Sequence, residues 1–401
     1  MNETSVLGST PTVSPALVSA PRCLRSRARV STCDVCVKAC PANAISLDPA
    51  VAVDDKCTGC GICFHVCPTG VFSGRDLARE LNDCVRRLGD VETLELVCAA
   101  HANPGYGPVS STAVVRIGGC LACIGPATLL SLLAAGTRRI VVRADACEGC
   151  SPWNAGGGLR GILTETREIL AAVGQAERLP DWSNAAAGPW GERTVVDANN
   201  PPVSRRDMFR LLAAQAPGVV ATVMGLETAA PAVEERKTPP VERRRLANAL
   251  RRMTGLQSDA PPDVRMLHAR MPQAFSSLAV NDDCTACQVC VRACPTGALD
   301  MPATENAYRL LLDVAACVHC GLCIQLCQPG ASSQAGPPTV RDFLATEKRE
   351  LHAGQLRRCP QCGARFGGRP DARLCPVCEY RTTHPFGSVM PSSPVRMRAD
   401  R

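Results

Sequence analysis

Cysteine dominates the chemistry open to this sequence. The 401 residues include 26 Cys, far above the usage of an ordinary intracellular enzyme, and most stand in C-x-x-C groups. Thiols at that spacing hold a metal or act as a redox pair. The clearest group is Cys284, Cys287, Cys290 and Cys294-Pro295, a C-x2-C-x2-C-x3-C-P run. Cys317, Cys320, Cys323 and Cys327 repeat it, with Gln328 before Pro329. Such a run holds iron–sulfur cubanes, three close Cys and one distant Cys to each cluster. Two-residue gaps let a tight turn wrap one cube face, and the fourth Cys crosses to the other cluster. The spacing therefore groups Cys284, Cys287, Cys290 and Cys327 on one [4Fe–4S] cluster and Cys317, Cys320, Cys323 and Cys294 on another. Zinc on the same thiols is the competing reading, and the regularity of the run weighs against it.

Residues 23–74 hold eight more Cys, so one unit is used twice, more than 200 residues apart. Cys57, Cys60, Cys63 and Cys67-Pro68 fit the pattern, and Cys40-Pro41 supplies the distant ligand for a [4Fe–4S] cluster on Cys57, Cys60, Cys63 and Cys40. Upstream, Cys33 and Cys36 are in place, but Val30 occupies the first Cys position. Cys23, seven residues earlier, completes a second [4Fe–4S] set of Cys23, Cys33, Cys36 and Cys67 if a longer loop brings it in. The alternative is a three-cysteine site that holds a [3Fe–4S] cluster or nothing. The C-terminal unit resembles the bacterial two-cluster ferredoxins over roughly sixty residues, down to Pro295-Thr296-Gly297-Ala298 after the fourth Cys, and the N-terminal unit looks like a second copy. That resemblance implies a ferredoxin-like fold and electron transfer. His65 and His319 lie inside the cluster loops. Either they tune reduction potentials or they simply face solvent, and the second is the simpler expectation.

Between the units, residues 90–182 read as alternating strand and helix: strands at 91–98, 113–117 and 139–143, helices at 126–135 and 159–172. That order predicts a small α/β domain with a parallel sheet. Cys98 ends the first strand, Cys120 and Cys123 follow the second, and Cys147 and Cys150 follow the third, so five thiols reach the carboxyl edge where open sheets bind ligands. A [2Fe–2S] cluster, a zinc site, a C-x-x-C dithiol or packed cysteines all fit. The order resembles the delta subunit of methyl-viologen-reducing hydrogenase over about sixty residues. That resemblance implies that these five Cys include cluster ligands. It also implies partners such as a hydrogenase, a heterodisulfide-reductase-like protein or another oxidoreductase.

Cys359, Cys362, Cys375 and Cys378 form two knuckles of a zinc ribbon, with Gly363 free to take the positive φ of the knuckle turn. A rubredoxin-like iron site is the minor reading, and partner docking is the expected role. Cys84 has no spaced partner and reads as a free thiol, packed or exposed. Ser204-Arg205-Arg206-Asp207-Met208-Phe209 looks like a twin-arginine signal, but two hundred residues precede it. A similar stretch occurs in ferredoxin-type proteins that resemble the periplasmic nitrate reductase accessory protein, so it reads as the start of a docking helix.

The elements that must position these thiols follow from length and composition. Seven Phe, three Trp and three Tyr in 401 residues argue against one large core, and several domains are expected. The fold class is α+β multidomain: two ferredoxin-like domains (23–74 and 271–335), the small α/β domain between them (90–182) and the ribbon (355–382). Residues 1–22 and 383–401 read as tails, and 183–270 as a linker with short helices, one strongly basic at 241–253. Residues 1–21 lack the basic and apolar regions of a secretory signal, no apolar run is long enough to span a membrane, and the expected compartment is a reducing cytoplasm. The formal charge is +7. If each four-thiolate cubane contributes about −2 and a thiolate zinc site about −2, the total falls to about −3, so nucleic acid is not an expected partner. No phosphate loop and no Ser/His/Asp set stands out, so a non-catalytic electron carrier is expected. The other readings are a zinc-stabilised adaptor, with nucleic acid held by residues 243–252, and a thiol-redox enzyme using the middle cysteines.

Overall fold

The computed structural model describes residues 16–74, 76–147, 156–182, 186–200, 237–255 and 277–384. Cys150, the Ser204-Arg205-Arg206 stretch and the two outermost tails (1–15 and 385–401) lie outside the described residues.

The N-terminal unit runs β1 (Leu17–Val18), α1 (Leu24–Arg27), α2 (Val35–Ala39), β2 (Ile45–Ser46), β3 (Ala52–Val53), α3 (Ile62–Val66) and β4 (Phe72–Ser73). β1 pairs antiparallel with β4, and β2 with β3. The buried core is small: Ile45, Val51, Val71 and Phe72, with Cys23 and Cys67 among them. So little apolar burial calls for a metal to complete the fold.

The next elements are α4 (Leu77–Leu88), β5 (Thr93–Val97), β6 (Tyr106–Pro108), β7 (Ala113–Arg116), α5 (Pro126–Ala134), β8 (Arg139–Val142), α6 (Gly156–Ala172), β9 (Trp190–Glu192) and β10 (Val195–Asp197). Asp76 caps α4 by accepting the Arg79 N–H at 3.0 Å. Ala78, Leu81, Cys84 and Val85 form its inward stripe, so Cys84 is a packed thiol. The sheet order is β10-β7-β5-β8, and every pair in it is parallel. Strands as apolar as Val-Val and Ile-Val-Val need cover on both faces, and helices supply it. The fourth strand corrects the sequence reading. Val195-Val196-Asp197 sits in the stretch taken as linker and is too short to show a period, yet it completes the edge beside β7, where Arg116 pairs with Asp197 at 2.7 Å.

The basic helix of the linker is also more than a connection. It is α7 (Val241–Thr254), and Leu246, Ala247, Ala249 and Leu250 are buried where it packs along α5. Three of its five arginines are turned to the molecule, while Arg244 and Arg252 stay exposed. Arg243 is 6% exposed, Arg245 pairs with Glu242 and Asp76, and Arg251 donates to the Leu344 carbonyl at 3.4 Å. This removes most of the basic face that the nucleic-acid reading needs.

The second unit runs β11 (Ser277–Val280), α8 (Val289–Ala293), β12 (Leu299–Asp300), β13 (Ala307–Leu312), α9 (Leu322–Gln325) and β14 (Ser332–Ala335). β11 pairs with β14 and β12 with β13, all antiparallel, as in the first unit. Then come α10 (Val340–Leu344), β15 (Arg349–Gln355), β16 (Arg357–Arg358), β17 (Arg365–Phe366) and α11 (Pro376–Thr383), which reaches the first residue of the expected tail. β15 joins the β12–β13 sheet and so anchors the ribbon to its own chain. The Gly367 N–H donates to Thr285 O at 3.0 Å, Arg369 pairs with Asp283, and Arg365 with Glu305 at 3.1 Å. One continuous core joins the middle domain, α7 and the second unit and takes in Ile62 of the first unit, whose other buried residues form a small cluster of their own. Among the described residues no helix is long and apolar enough to cross a membrane.

Candidate metal centres

Three cysteine loops share a backbone trick. The residues just before and just after the second Cys are left-handed: Gly59 (φ 63°) and Gly61 (φ 75°), Ala286 (57°) and Gln288 (61°), His319 (51°) and Gly321 (73°). Each pair curls the chain so that successive thiols face one point. At a non-glycine the conformation costs roughly 1–2 kcal/mol, a strain that persists where the surroundings fix it, as functional loops do.

Across the two units the thiols influence one another in four sets. Burial, then Cys284, Cys287 and Cys327, pushes Cys290 up to about 12. Burial, then Cys317, Cys320 and Cys294, raises Cys323. In the first unit, burial, then Cys60, Cys57 and Cys40, pushes Cys63 up to about 12. Burial, then Cys67, Cys33 and Cys23, pushes Cys36 up to about 11. The last set includes Cys23, which caps the start of α1 and is 8% exposed, whereas Val30 is 49% exposed. Thiols so crowded repel one another as thiolates, and only a cationic core lets all four ionise together. Donors already point at the sulfurs: the N–H groups of Ala44 and Val71 reach Cys40 Sγ and Cys67 Sγ, both at 3.3 Å. The hydroxyls of Thr69 and Thr296 lie 3.7 and 3.6 Å from Cys67 and Cys294. Such hydrogen bonds help to set cluster potentials.

The two histidines do not simply face solvent. The His65 ring is 2.9 Å from Ala122 O of the middle domain, and burial holds it below the usual histidine range. His319 is half-buried and hydrogen-bonded to Gln334, and burial lowers it too.

In the middle domain Cys98 directly follows β5, Cys120 comes four residues after β7, and Cys147 ends a single turn after β8. Three neighbouring strands thus deliver thiols to one edge. The Ala122 N–H donates to Cys120 Sγ at 3.4 Å. A buried ion network braces this edge, and sequence reasoning missed it. Glu95 of β5 is fully buried and is held by Arg193 and by Arg143 Nη1 at 3.1 Å. Arg143 Nη2 also bonds Asp145 Oδ2 at 2.7 Å, and His101 meets the same carboxylate at 3.1 Å. The Arg143 guanidinium lies 5.0 Å from the Trp182 ring and 5.5 Å from Trp190. Burial alone would raise Glu95, but Arg193, Ser111 and Arg143 outweigh it and hold the carboxyl below its usual range. A glutamate inside the apolar strand Leu94-Glu95-Leu96 was the available signal.

The first unit meets this edge. A Cβ on Gly61 would lie 3.0 Å from Cys123 Cβ, so the loop of Cys57, Cys60 and Cys63 abuts the Cys120–Cys123 turn.

At the ribbon, the Sγ atoms of Cys359, Cys362, Cys375 and Cys378 all lie within 4.8 Å of one another. The Cys362–Cys375 pair is 3.6 Å apart, near the roughly 3.8 Å edge of a tetrahedron with Zn–S bonds of about 2.3 Å. Gly363 takes φ 74°. Backbone N–H groups, chiefly that of Cys375, draw the Cys359 thiol down to about 6. Among the described residues this is the group of Cys, His and acids tight enough for a lone ion. The thiols of the two ferredoxin-like units stand further apart, as an inorganic core larger than one ion requires.

Two segments, residues 31–71 and 283–331, match a family described as a 4Fe-4S dicluster domain. No curated protein matches the chain. The matched segments enclose every ferredoxin-type cysteine except Cys23, and this similarity of two regions to 4Fe-4S dicluster domains supports iron–sulfur clusters and points to electron transfer.

Proposed function

We propose that this chain is a polyferredoxin-like electron-transfer subunit carrying four [4Fe–4S] clusters. Their ligands would be Cys23, Cys33, Cys36 and Cys67; Cys40, Cys57, Cys60 and Cys63; Cys284, Cys287, Cys290 and Cys327; and Cys294, Cys317, Cys320 and Cys323. The observation that carries the reading is the match of residues 31–71 and 283–331 to a 4Fe-4S dicluster family, supported by the left-handed turns that curl three of the cysteine loops. Cys98, Cys120, Cys123, Cys147 and Cys150 would supply the ligands of a [2Fe–2S] cluster, and Cys359, Cys362, Cys375 and Cys378 a structural zinc site.

The first unit and the middle domain form one route. The Cys40/Cys57/Cys60/Cys63 loop touches the Cys120–Cys123 turn, and His65 bridges to Ala122. The middle edge is then the port to a catalytic partner, a hydrogenase, a heterodisulfide-reductase-like protein or another oxidoreductase, in a cytoplasmic complex. Replacing Cys120 and Cys123 together by Ser tests the route. About two iron atoms should be lost while the cubane signals persist. Unchanged iron and an unchanged spectrum would remove the middle cluster from the account.

A further inference from the structure

The two units place one cubane site each at the same point of the repeat, Cys40/Cys57/Cys60/Cys63 in the first and Cys294/Cys317/Cys320/Cys323 in the second. Their surroundings differ in charge. The three residues before Cys57 are Asp54, Asp55 and Lys56, all exposed. Those before Cys317 are Val314, Ala315 and Ala316, and Val314 and Ala316 are buried. Against this second loop lies Arg243 of α7. Its Nε donates to Ala315 O at 2.8 Å and its Nη2 to Val314 O at 3.2 Å, while the Phe343 ring centroid lies 4.6 Å from the guanidinium carbon. These contacts fix the side chain within the core. The guanidinium is thereby held against the backbone two and three residues before Cys317. Asp313 is the nearby opposing charge, and its carboxylate accepts the Ala316 N–H at 3.0 Å. Counting Asp313, the second loop is neutral where the first carries about one negative charge.

Resting on the four-cluster reading, we infer that Arg243 is a potential-setting residue. It makes the Cys294/Cys317/Cys320/Cys323 cluster the more oxidising of the two equivalent centres and so the one toward which electrons fall. The reason is electrostatic. Reduction adds one electron to a site that is already anionic, and a fixed positive charge in a region screened from water favours the reduced form. The exposed carboxylates beside Cys57 act in the opposite sense, with more screening. The transfer is simple: one electron leaves the first unit's reduced cluster and is taken up by the second unit's oxidised cluster, with no bond made or broken.

The test is a potentiometric titration of the full chain under argon, followed by electron paramagnetic resonance, with iron and sulfide counted in each variant. Cys60→Ser and Cys320→Ser, each altering one signal, assign the two clusters. In the wild type the Cys320-dependent signal should be reduced at the higher potential. Arg243→Met should lower its reduced-to-oxidised ratio at fixed potential about tenfold, a shift of about 59 mV for one electron, and leave the Cys60-dependent signal in place. Arg243→Lys, which keeps the charge, should shift it less. If Arg243→Met fails to load that cluster, Asp54→Asn with Asp55→Asn becomes the deciding variant: it should move the Cys60-dependent cluster upward and narrow the gap, and an unchanged gap refutes the inference. Intact iron and sulfide with no shift in Arg243→Met, or the reverse order in the wild type, overturns the inference and leaves the four-cluster reading standing. Absence of labile sulfide from the wild type overturns that reading itself.

Discussion

The two ferredoxin units reach the same complement of eight thiols by different means. The second draws all eight from two regular runs, and Gln288 takes φ 61° to wrap its first loop. The first lacks a cysteine at Val30. The residue corresponding to Gln288 is Asp34, which has φ −138°, because no early ligand pulls the loop around. On the four-cluster reading its missing thiol would come instead from Cys23, at the junction of a short turn and α1. A thiol site is defined by where its sulfurs end up, and a segment outside the repeat can supply one. The units differ outward as well. The first meets the middle domain through its cluster loop, while the second shares a core with α7 and carries the ribbon on its sheet.

The largest predicted effect probes the imported ligand. Cys23→Ser should cost between about one and about four iron atoms per chain, as the cluster becomes a three-iron form or is lost. Val30→Cys added to it should not restore them, since Val30 points outward. Full recovery of iron and spectrum in the double variant would mean that the loop can adopt the regular wrap after all.

A smaller effect separates the two wraps. Gly61→Ala and Gly321→Ala share the same backbone strain, at φ 75° and 73°, worth roughly 1 kcal/mol each. Only at Gly61 does the new Cβ meet another domain, 3.0 Å from Cys123 Cβ, whereas at Gly321 the nearest atom is 3.9 Å away. Gly61→Ala should therefore destabilise the chain by at least about 1 kcal/mol more in chemical unfolding and slow electron passage to the middle edge. Equal stabilities would place the two loops in equal surroundings.

The smallest effect belongs to the ribbon, which the first unit lacks. Tyr308 is buried beneath it and donates its hydroxyl to Cys284 O at 3.0 Å. Tyr308→Phe should cost about 1 kcal/mol. Zinc chelation should speed oxygen damage at the Cys284/Cys287/Cys290/Cys327 cluster while sparing the first unit. Damage at the same rate in both units would uncouple the ribbon from the cluster.

What the sequence made legible was local. Cysteine spacing is written over eleven consecutive residues, and the three longer strands of the middle sheet over four or five residues each, three of them apolar. What it hid depends on distant partners. The basic residues of α7 read as a short helix in a linker, and it is α5, Phe343 and the Val314–Ala315 carbonyls that hold one of its faces inward. Val195–Asp197 becomes a strand only because β7 offers an edge. Arg143 and Arg193 are separated from Glu95 by 48 and 98 positions, so no window of sequence shows the network. The ribbon pattern was plain, but its packing on the chain's own second unit was not, since Arg369 meets Asp283 across 86 positions.

The central claim is best tested by counting iron, acid-labile sulfide and zinc in protein purified without oxygen. Four cubanes and the middle cluster predict roughly eighteen iron, a matching sulfide content and about one zinc per chain. A chain that holds zinc at several sites and no labile sulfide would contradict it.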